Sequence, residues 1–161
     1  MIFIYNLFAL ILAPVWLFLL WKSQKNLQLK ERLGFYPKRE DKPIWVHSVS
    51  LGEAKIGANL INALKEKGLT VFSTTTTTSG KGELIKNKIE SYFFPLDFYL
   101  FMRIALKRIK PSALVMVETE IWPSLFYLCN KMNIPIFIVN ARLSDKKIIY
   151  YIRFKKLFYE I

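Results

Sequence analysis

From residue 43 onward the chain alternates between short apolar runs and longer stretches whose apolar residues recur at helical spacing. The apolar, β-branched runs predict strands. The predicted strands are residues 44–49, 70–74, 92–94, 113–117 and 134–139. The stretches between them, with apolar positions three and four residues apart, predict helices. The predicted helices are residues 52–67, 80–89, 98–109, 123–132 and 144 to the end.

Regular alternation of strands with helices is typical of βαβ units and a mostly parallel sheet. The strands are nearly continuous apolar runs, which indicates a sheet covered by helices on both faces. We therefore predict a Rossmann-like doubly wound α/β domain over residues 43–161. Such sheets bind ligands at the carboxyl ends of their strands. The residues that directly follow each strand are thus the first candidates for a functional site.

Residues 1–21 form an apolar segment without charge, in which Asn6 is the one strongly polar side chain. At about 1.5 Å per residue, a helix of this length spans roughly 31 Å, the hydrocarbon thickness of a bilayer. No Lys or Arg precedes Lys22 and no A-x-A pattern follows, which disfavours a cleaved signal peptide. We expect an uncleaved, single-pass transmembrane anchor, with a buried core helix as the alternative.

Basic residues follow the apolar segment at once, in a predicted juxtamembrane linker at residues 22–42. The positive-inside rule places this flank, and the domain after it, on the cytoplasmic side of the inner membrane. The same charges attract anionic lipid head groups. In total, 24 Lys and Arg against 12 Asp and Glu give a formal net charge of +12. A membrane-bound protein accounts for that charge, so nucleic acid is not the expected partner.

The composition excludes several classes of protein and site. With 53% hydrophobic residues the chain has ample apolar surface to bury, so it is not disordered. One cysteine, Cys129, excludes a disulfide framework and a Cys-cluster zinc site. One histidine, His47, excludes most His-based metal sites, and no acidic metal-binding motif is present, so we expect no metal. His47 lies inside the first predicted strand and is interpreted as a hydrogen-bonded core residue rather than a catalyst.

A Ser-x-x-Glu pattern, Ser50 to Glu53, follows the first predicted strand. Its spacing is that of a capping box, with Ser50 as the N-cap of the next helix. The pattern also places a carboxylate at the carboxyl end of the first strand. It lies beside Gly52, where the absence of a side chain permits a ligand to approach the backbone closely. A carboxylate in that position can act as a general base. The two interpretations are compatible.

The second predicted strand runs into five threonines, followed by Ser79 and Gly80. Hydroxyl groups such as that of Thr77, and a glycine at a helix N-terminus, can bind an anionic or sugar ligand. The alternative is that the threonines extend the strand and Ser79 caps the helix. The run is not a P-loop, because G-x-x-x-x-G-K-[ST] is absent.

Two acids, Glu118 and Glu120, follow the fourth predicted strand and precede Pro123. Proline suits the first turn of a helix, and Glu120 there complements the helix dipole. Glu118 ends a strand predicted to be buried, where a charge needs either a partner or a function. After the fifth strand, Arg142 is expected either to pair with Glu118 or to bind an anionic ligand.

Taken together, these stretches closely resemble one family, the 3-deoxy-D-manno-octulosonic acid (Kdo) transferases of lipid A assembly. The matching stretches are residues 31–34, 45–53, the threonine-rich run through Gly80, 95–97, 118–124 and 140–144. Their order along the chain matches as well, and the resemblance covers essentially the whole chain.

The resemblance implies the N-terminal, acceptor-binding half of a two-domain GT-B glycosyltransferase that is inverting and independent of metal. Such enzymes transfer Kdo from the donor CMP-Kdo, which binds the C-terminal half, to the lipid A precursor, lipid IVA. No cofactor is implied. Glu53 corresponds to the general base and Glu118 to a second essential acid. The residues expected to bind the acceptor are Ser50, Gly52, Thr77, Ser79, Gly80 and Arg142.

The donor half of a GT-B enzyme is missing from this sequence, so the chain is expected to supply one wall of the catalytic site. We expect it to bind membrane lipids and acceptor, and to need a separate donor-binding domain for turnover. The alternative is a membrane-anchored binding module without catalytic activity.

Overall fold

The structure is a computed structural model that describes residues 2, 4–7, 11, 28–142 and 152. Within these residues the strands are β1 (Ile44–Ser48), β2 (Val71–Thr75), β3 (Tyr92–Phe93), β4 (Ala113–Val117) and β5 (Ile136–Val139). The helices are α1 (Leu29–Arg32), α2 (Leu51–Glu66), α3 (Thr78–Lys86), α4 (Tyr99–Ile109) and α5 (Pro123–Lys131). Apart from Ile152, the helix predicted from residue 144 onward lies outside the described residues.

The five strands form one parallel sheet in the order β3-β2-β1-β4-β5. In the register of the central strand, Ile44 pairs with Val71 on one side and with Ala113 on the other. Each connection between successive strands runs through a helix, as parallel pairing requires. The predicted α/β class and the parallel sheet are therefore confirmed.

Side chains of β1 and β4 alternate between two buried cores, one on each face of the sheet, whereas in the edge strand β5 Phe137 and Ile138 are 54% and 40% exposed. The core under α4 and α5 includes Trp45, Phe72, Leu114, Met116, Met102, Leu106, Leu125 and Cys129. The core under α2 and α3 includes Val46, Val115, Val117, Ala54, Ala58, Ile61 and Leu84. Burial on both faces explains why a central strand such as β4 is a continuous apolar run in the sequence.

The start of α3 differs from the prediction. The helix begins at Thr78, two residues before the expected Gly80, and its N-cap is Thr77. The hydroxyl oxygen of Thr77 accepts a hydrogen bond from the backbone N–H of Gly80 at 3.1 Å. The expectation that Ser79 caps this helix was wrong, since Ser79 lies inside the first turn.

Residues 28–42, which fall within the predicted linker, pack against the sheet. The buried guanidinium of Arg32 donates to the carbonyl oxygens of Thr76, at 2.8 Å, and Phe94, at 3.2 Å. Burial lowers the pKa of Arg32. Tyr36 is 1% exposed and belongs to the core under α4 and α5. This part of the chain therefore holds the carboxyl ends of β2 and β3 in place.

The predicted anchor, residues 1–21, lies largely outside the described residues. Residues 2, 4–7 and 11 are described, and they are helical. Within the described parts of the chain, no helix is both long and apolar enough to cross a membrane.

Candidate active site

The loops after β1 and β4 lie side by side at the carboxyl edge of the sheet, because these two strands are parallel neighbours. The direction of winding reverses between them: β1 leads to β2 on one side, and β4 leads to β5 on the other. In doubly wound sheets, this reversal opens the crevice in which ligands bind. Glu53 lies in the first turn of the helix after β1 and Glu118 directly follows β4, so both predicted acids lie on the connections that leave these two strands.

Glu53 is 6% exposed and lies in the first turn of α2. Its Oε2 accepts from the backbone N–H of Val49 at 2.7 Å, and its Oε1 accepts from the hydroxyl of Ser50 at 2.8 Å. Ser50 is the N-cap, and its Oγ accepts from the backbone N–H of Glu53 at 3.3 Å. Ser50 is thus confirmed as the N-cap, whereas the reciprocal bond of the predicted capping box goes to the N–H of Val49 and not to that of Ser50. Each carboxylate oxygen keeps a further acceptor position for a ligand.

The loop after β2 is tied to the loop after β1 through the carbonyl of Val49. That oxygen accepts from the hydroxyls of Thr77, at 3.0 Å, and Thr75, at 3.4 Å. A Cβ at Gly80 would lie 2.4 Å from Oγ1 of Thr75 and 3.0 Å from Oγ1 of Thr77. The same Cβ would lie 3.4 Å from the carbonyl oxygen of Ser50, in the loop after β1, so the absence of a side chain at Gly80 lets the start of α3 pack closely on both loops.

Gly52 and Ser79 are both exposed, in the first turns of α2 and α3. A Cβ at Gly52 would meet only Oγ of Ser50, at 3.9 Å, so packing does not require glycine there. The hydroxyl of Ser79 lies 3.3 Å from that of Thr77. These two positions are open to a ligand, whereas Thr77 and Gly80 are engaged in joining the loops.

Glu118 has a left-handed backbone, with φ of +67°. Its backbone N–H donates to the carbonyl of Val139 at 2.8 Å, and its carbonyl accepts from the N–H of Glu120 at 3.1 Å. Within the described part of the chain, its half-buried carboxylate has no hydrogen-bond or ion-pair partner. A non-glycine residue in this conformation is strained, and such strain clusters at functional sites.

Arg142 does not pair with Glu118, which was one of its two expected roles. Its backbone is instead held by Thr119, whose hydroxyl oxygen accepts from the Arg142 N–H and donates to the Arg142 carbonyl, both at 2.9 Å. The residue is exposed beside the loop after β4. The structure thus leaves its guanidinium available for the other role, an anionic ligand.

His47 is completely buried, in agreement with the prediction of a core residue. Its Nδ1 lies 3.0 Å from Oγ1 and 3.2 Å from the carbonyl oxygen of Thr74. Its ring stacks on Phe94, with the ring centroids 3.8 Å apart. Burial lowers the pKa of His47 to about 3, so the imidazole is neutral at physiological pH.

Sequence reasoning missed the role of Asp97. Its carboxylate is 8% exposed and accepts from the backbone N–H groups of Ser124, at 3.1 Å, and Leu125, at 3.0 Å. It thereby caps α5, whose own N-cap residue, Trp122, contributes no side-chain hydrogen bond. Burial raises the pKa of Asp97 to about 6. The available signal was negative: Trp122, which precedes the helix predicted from Pro123, has no side chain that can cap it.

No group of three or more His, Cys, Asp or Glu side chains within the described residues is arranged to hold a metal ion. Cys129 and His47 are both buried in the domain. Burial raises the pKa of the Cys129 thiol to about 12. Both residues serve packing, as the sequence indicated for His47.

Comparison with known proteins gives a consistent result. A family profile described as 3-Deoxy-D-manno-octulosonic-acid transferase (kdotransferase) matches residues 27–161. A 3-deoxy-D-manno-octulosonic acid transferase of Bordetella pertussis is 34% identical over 110 residues, covering 63% of this chain and 26% of the relative. One of Haemophilus influenzae is 32% identical over 146 residues, covering 85% of this chain and 34% of the relative.

A plant protein gives the same match. A probable mitochondrial 3-deoxy-D-manno-octulosonic acid transferase of Arabidopsis thaliana is 32% identical over 164 residues, covering 90% of this chain. The chain spans 26% to 36% of the length of these three relatives.

Proposed function

The chain belongs to the 3-deoxy-D-manno-octulosonic acid transferase family of glycosyltransferases, and we propose that it forms the acceptor-binding half of a lipid A Kdo transferase. In this proposal, Kdo passes from CMP-Kdo to a hydroxyl of lipid IVA, by an inverting reaction that uses no metal and no cofactor. A donor-binding domain, in the same protein or in a separate one, completes the site. The chain matches 26% to 36% of its relatives' length, which supports such a division.

One observation carries the proposal: two carboxylates, those of Glu53 and Glu118, follow the neighbouring strands at which the winding of the sheet reverses. We assign Glu53 as the general base. A hydroxyl that attacks an oxocarbenium-like carbon must lose its proton, and a carboxylate within hydrogen-bond reach accepts that proton. The bonds from Val49 and Ser50 fix the orientation of the carboxylate and leave acceptor positions unused.

We assign Glu118 as the second essential acid. A half-buried carboxylate on a strained backbone, without a partner among the described residues, is costly for folding. A role in the reaction gives a reason for that cost. Its place beside β1 supports contact with the same substrate that Glu53 deprotonates.

The acceptor-binding residues divide into two groups. Gly52, Ser79 and Arg142 are exposed at the edge of the crevice, which supports direct contact with an anionic or sugar group of the acceptor. The hydroxyls of Ser50 and Thr77, and the close approach at Gly80, are used within the protein. We propose that this second group acts by holding the loops in place.

The proposed location is the cytoplasmic face of the bacterial inner membrane. The apolar segment at residues 1–21 and the basic residues after it support attachment to anionic lipid. A lipid acceptor adds a reason, because an enzyme that modifies a membrane lipid must work at the membrane surface.

A transfer assay tests the proposal. Membranes containing this chain are incubated with lipid IVA and CMP-Kdo, with and without a separately expressed donor domain of a family member. We expect product only when the donor domain is added. Glu53→Gln should then reduce the rate by at least about a hundredfold, the usual size of a general-base contribution. Glu66→Gln, an exposed position in the same helix, is the matched control and should leave the rate unchanged.

The alternative is a membrane-bound module that binds without catalysis. It predicts no product under either condition, from a chain that is folded and membrane-bound. Product from this chain alone would contradict the need for a donor domain.

A further inference from the structure

The amino-terminal segment caps a helix of the domain. The N-cap residue of α4, Phe98, has no side chain that can satisfy the first backbone N–H groups of the helix. The amide oxygen of Asn6 accepts from the N–H of Tyr99, the first residue of α4, at 2.7 Å. The one strongly polar side chain of residues 1–21 is therefore used against the folded domain.

Tyr5 and Asn6 also contact the start of the neighbouring helix, α5. The hydroxyl of Tyr5 donates to Oδ2 of Asp97 at 3.0 Å, and this carboxylate also caps α5. The amide nitrogen of Asn6 donates to the hydroxyl oxygen of Ser124 at 3.3 Å. Tyr5 and Asn6 thus join the starts of α4 and α5, two helices whose own N-cap residues make no side-chain cap bond.

The described helical residues of the amino-terminal segment also include exposed apolar side chains, which do not face the domain. Ile4, Leu7 and Ile11 are 65%, 54% and 66% exposed. They are three and four positions apart and helical, which places them on one face. Polar contacts toward the protein and an outward apolar stripe are what a helix needs to lie between a domain and a lipid surface.

Chain length limits how this segment can meet a bilayer. Asn6 contacts the domain at one end, and Gln28 enters the domain at the other, so an even number of crossings separates them. Residues 8–27 supply 20 residues. One helical crossing takes about 20 residues, and crossing out and back takes about twice as many. The contacts therefore do not fit a single-pass anchor.

We propose that the amino-terminal segment docks through Tyr5 and Asn6 on the starts of α4 and α5, on the same side of the membrane as the domain. Ile4, Leu7 and Ile11 then face the lipid of that leaflet, and the amino end of the chain stays on that side of the bilayer. The inference rests on the membrane location given under the proposed function. It replaces the expected single-pass topology with attachment from one side.

Disulfide cross-linking in membranes tests the docking. In a Cys129→Ser background, Asn6→Cys is combined with Ser124→Cys, whose wild-type side chains are 3.3 Å apart. The matched control combines Asn6→Cys with Thr70→Cys, an exposed residue at the opposite, amino end of the sheet. We expect an oxidant to cross-link most molecules of the first pair and few of the second. Equal yields in the two pairs would overturn the docking.

Protease access to an amino-terminal tag on the otherwise wild-type chain tests the topology independently of whether the cysteine variants fold. We expect cleavage in inverted membrane vesicles and protection in spheroplasts. Cleavage in spheroplasts would overturn the proposal, because it would place the amino end across the membrane.

Vesicle binding tests the lipid-facing stripe. The triple variant Ile4→Ser, Leu7→Ser, Ile11→Ser should bind vesicles of phosphatidylethanolamine and phosphatidylglycerol at least about tenfold more weakly. The control replaces Leu69, Ile85 and Met132, three exposed apolar residues of the domain, by Ser and should bind unchanged. Equal binding by both triple variants would overturn the lipid contact. None of these measurements uses CMP-Kdo or turnover, so failure of the transfer assay remains a separate outcome.

Discussion

The loops after β1 and β4 end neighbouring strands of one sheet, yet they are built in opposite ways. The first loop is closely hydrogen-bonded: the carboxylate of Glu53 accepts from Val49 and Ser50, and Val49 accepts from the loop after β2. The second loop carries Glu118 on a left-handed backbone, with no partner for its carboxylate among the described residues.

The difference separates two ways in which a protein can hold a carboxylate at a ligand crevice. Glu53 is held by bonds that also begin a helix, so its position contributes to stability as well as to function. Glu118 is held by its backbone alone and adds strain. We therefore expect substitution of Glu53 to reduce both stability and transfer, and substitution of Glu118 to reduce transfer without a loss of stability.

The largest predicted effect is a loss of stability in acid, caused by protonation of the buried His47, which packs beneath both loops. Its ring contacts Thr74 below the first loop and meets Trp122, after the second loop, edge-on with the centroids 6.2 Å apart. The folded-state pKa of about 3 lies below the unfolded value of about 6.5, so between these values the unfolded chain binds the additional proton. Stability should fall as the pH is lowered through this window, by on the order of 5 kcal/mol in all. Urea denaturation in detergent at stepped pH measures it.

Asp97 should oppose this trend over part of the range. Its folded-state pKa of about 6 lies above the unfolded value of about 3.9, so between them the folded state binds the additional proton. Its contribution to stability should therefore rise as the pH falls from 6 to 4. In Asp97→Asn, stability should fall more steeply as the pH is lowered from 6 to 4. In His47→Asn, this fall in stability should be absent. An unchanged slope in both variants would contradict the assignment.

The next largest effect should distinguish the two glutamates directly. Glu53→Ala leaves the half-buried N–H of Val49 and the hydroxyl of Ser50 without their partner and should cost about 1–3 kcal/mol. Glu118→Ala removes no hydrogen bond of the described structure and should change stability by no more than about 0.5 kcal/mol. Urea denaturation of the two variants beside the wild type checks both values. Equal losses would mean that Glu118 also has a structural partner.

The sequence predicted the features that depend on local pattern. The five strands were placed within two residues of their observed bounds, because each is a short apolar or β-branched run, including the partly exposed β5. The Ser50–Glu53 cap was predicted for a similar reason, since its partners are three residues apart. The start of α3 was misplaced because Thr77 and Ser79 are chemically equivalent as caps, and only packing against Val49 selects Thr77.

Features that depend on distant contacts were not predictable in this way. Asp97 caps a helix 27 residues further along the chain, and Asn6 caps one 93 residues away. The left-handed backbone of Glu118 has no local signal, because glutamate is not a residue type that favours it. The expected pairing of Glu118 with Arg142 depended on a geometry that the fold does not provide. Within the described residues, each of these features follows from the packing of α4 and α5 or from the end of β4.

A smaller effect than the loss at Glu53, and of opposite sign, should be a gain in stability when glycine replaces Glu118. Glycine adopts a φ of +67° without the penalty that a Cβ carries, so Glu118→Gly should stabilise the fold by about 0.5–1 kcal/mol. The same variant should lose transfer in the assay with the donor domain, because the carboxylate is gone. Lys88→Gly is the matched control, since Lys88 is exposed with φ of +59° and lies outside the crevice. It should gain similar stability and keep full transfer. If Glu118→Gly also kept full transfer, the strain at the end of β4 would serve the fold rather than the reaction, and Glu53 alone would remain as the candidate catalytic acid of this half.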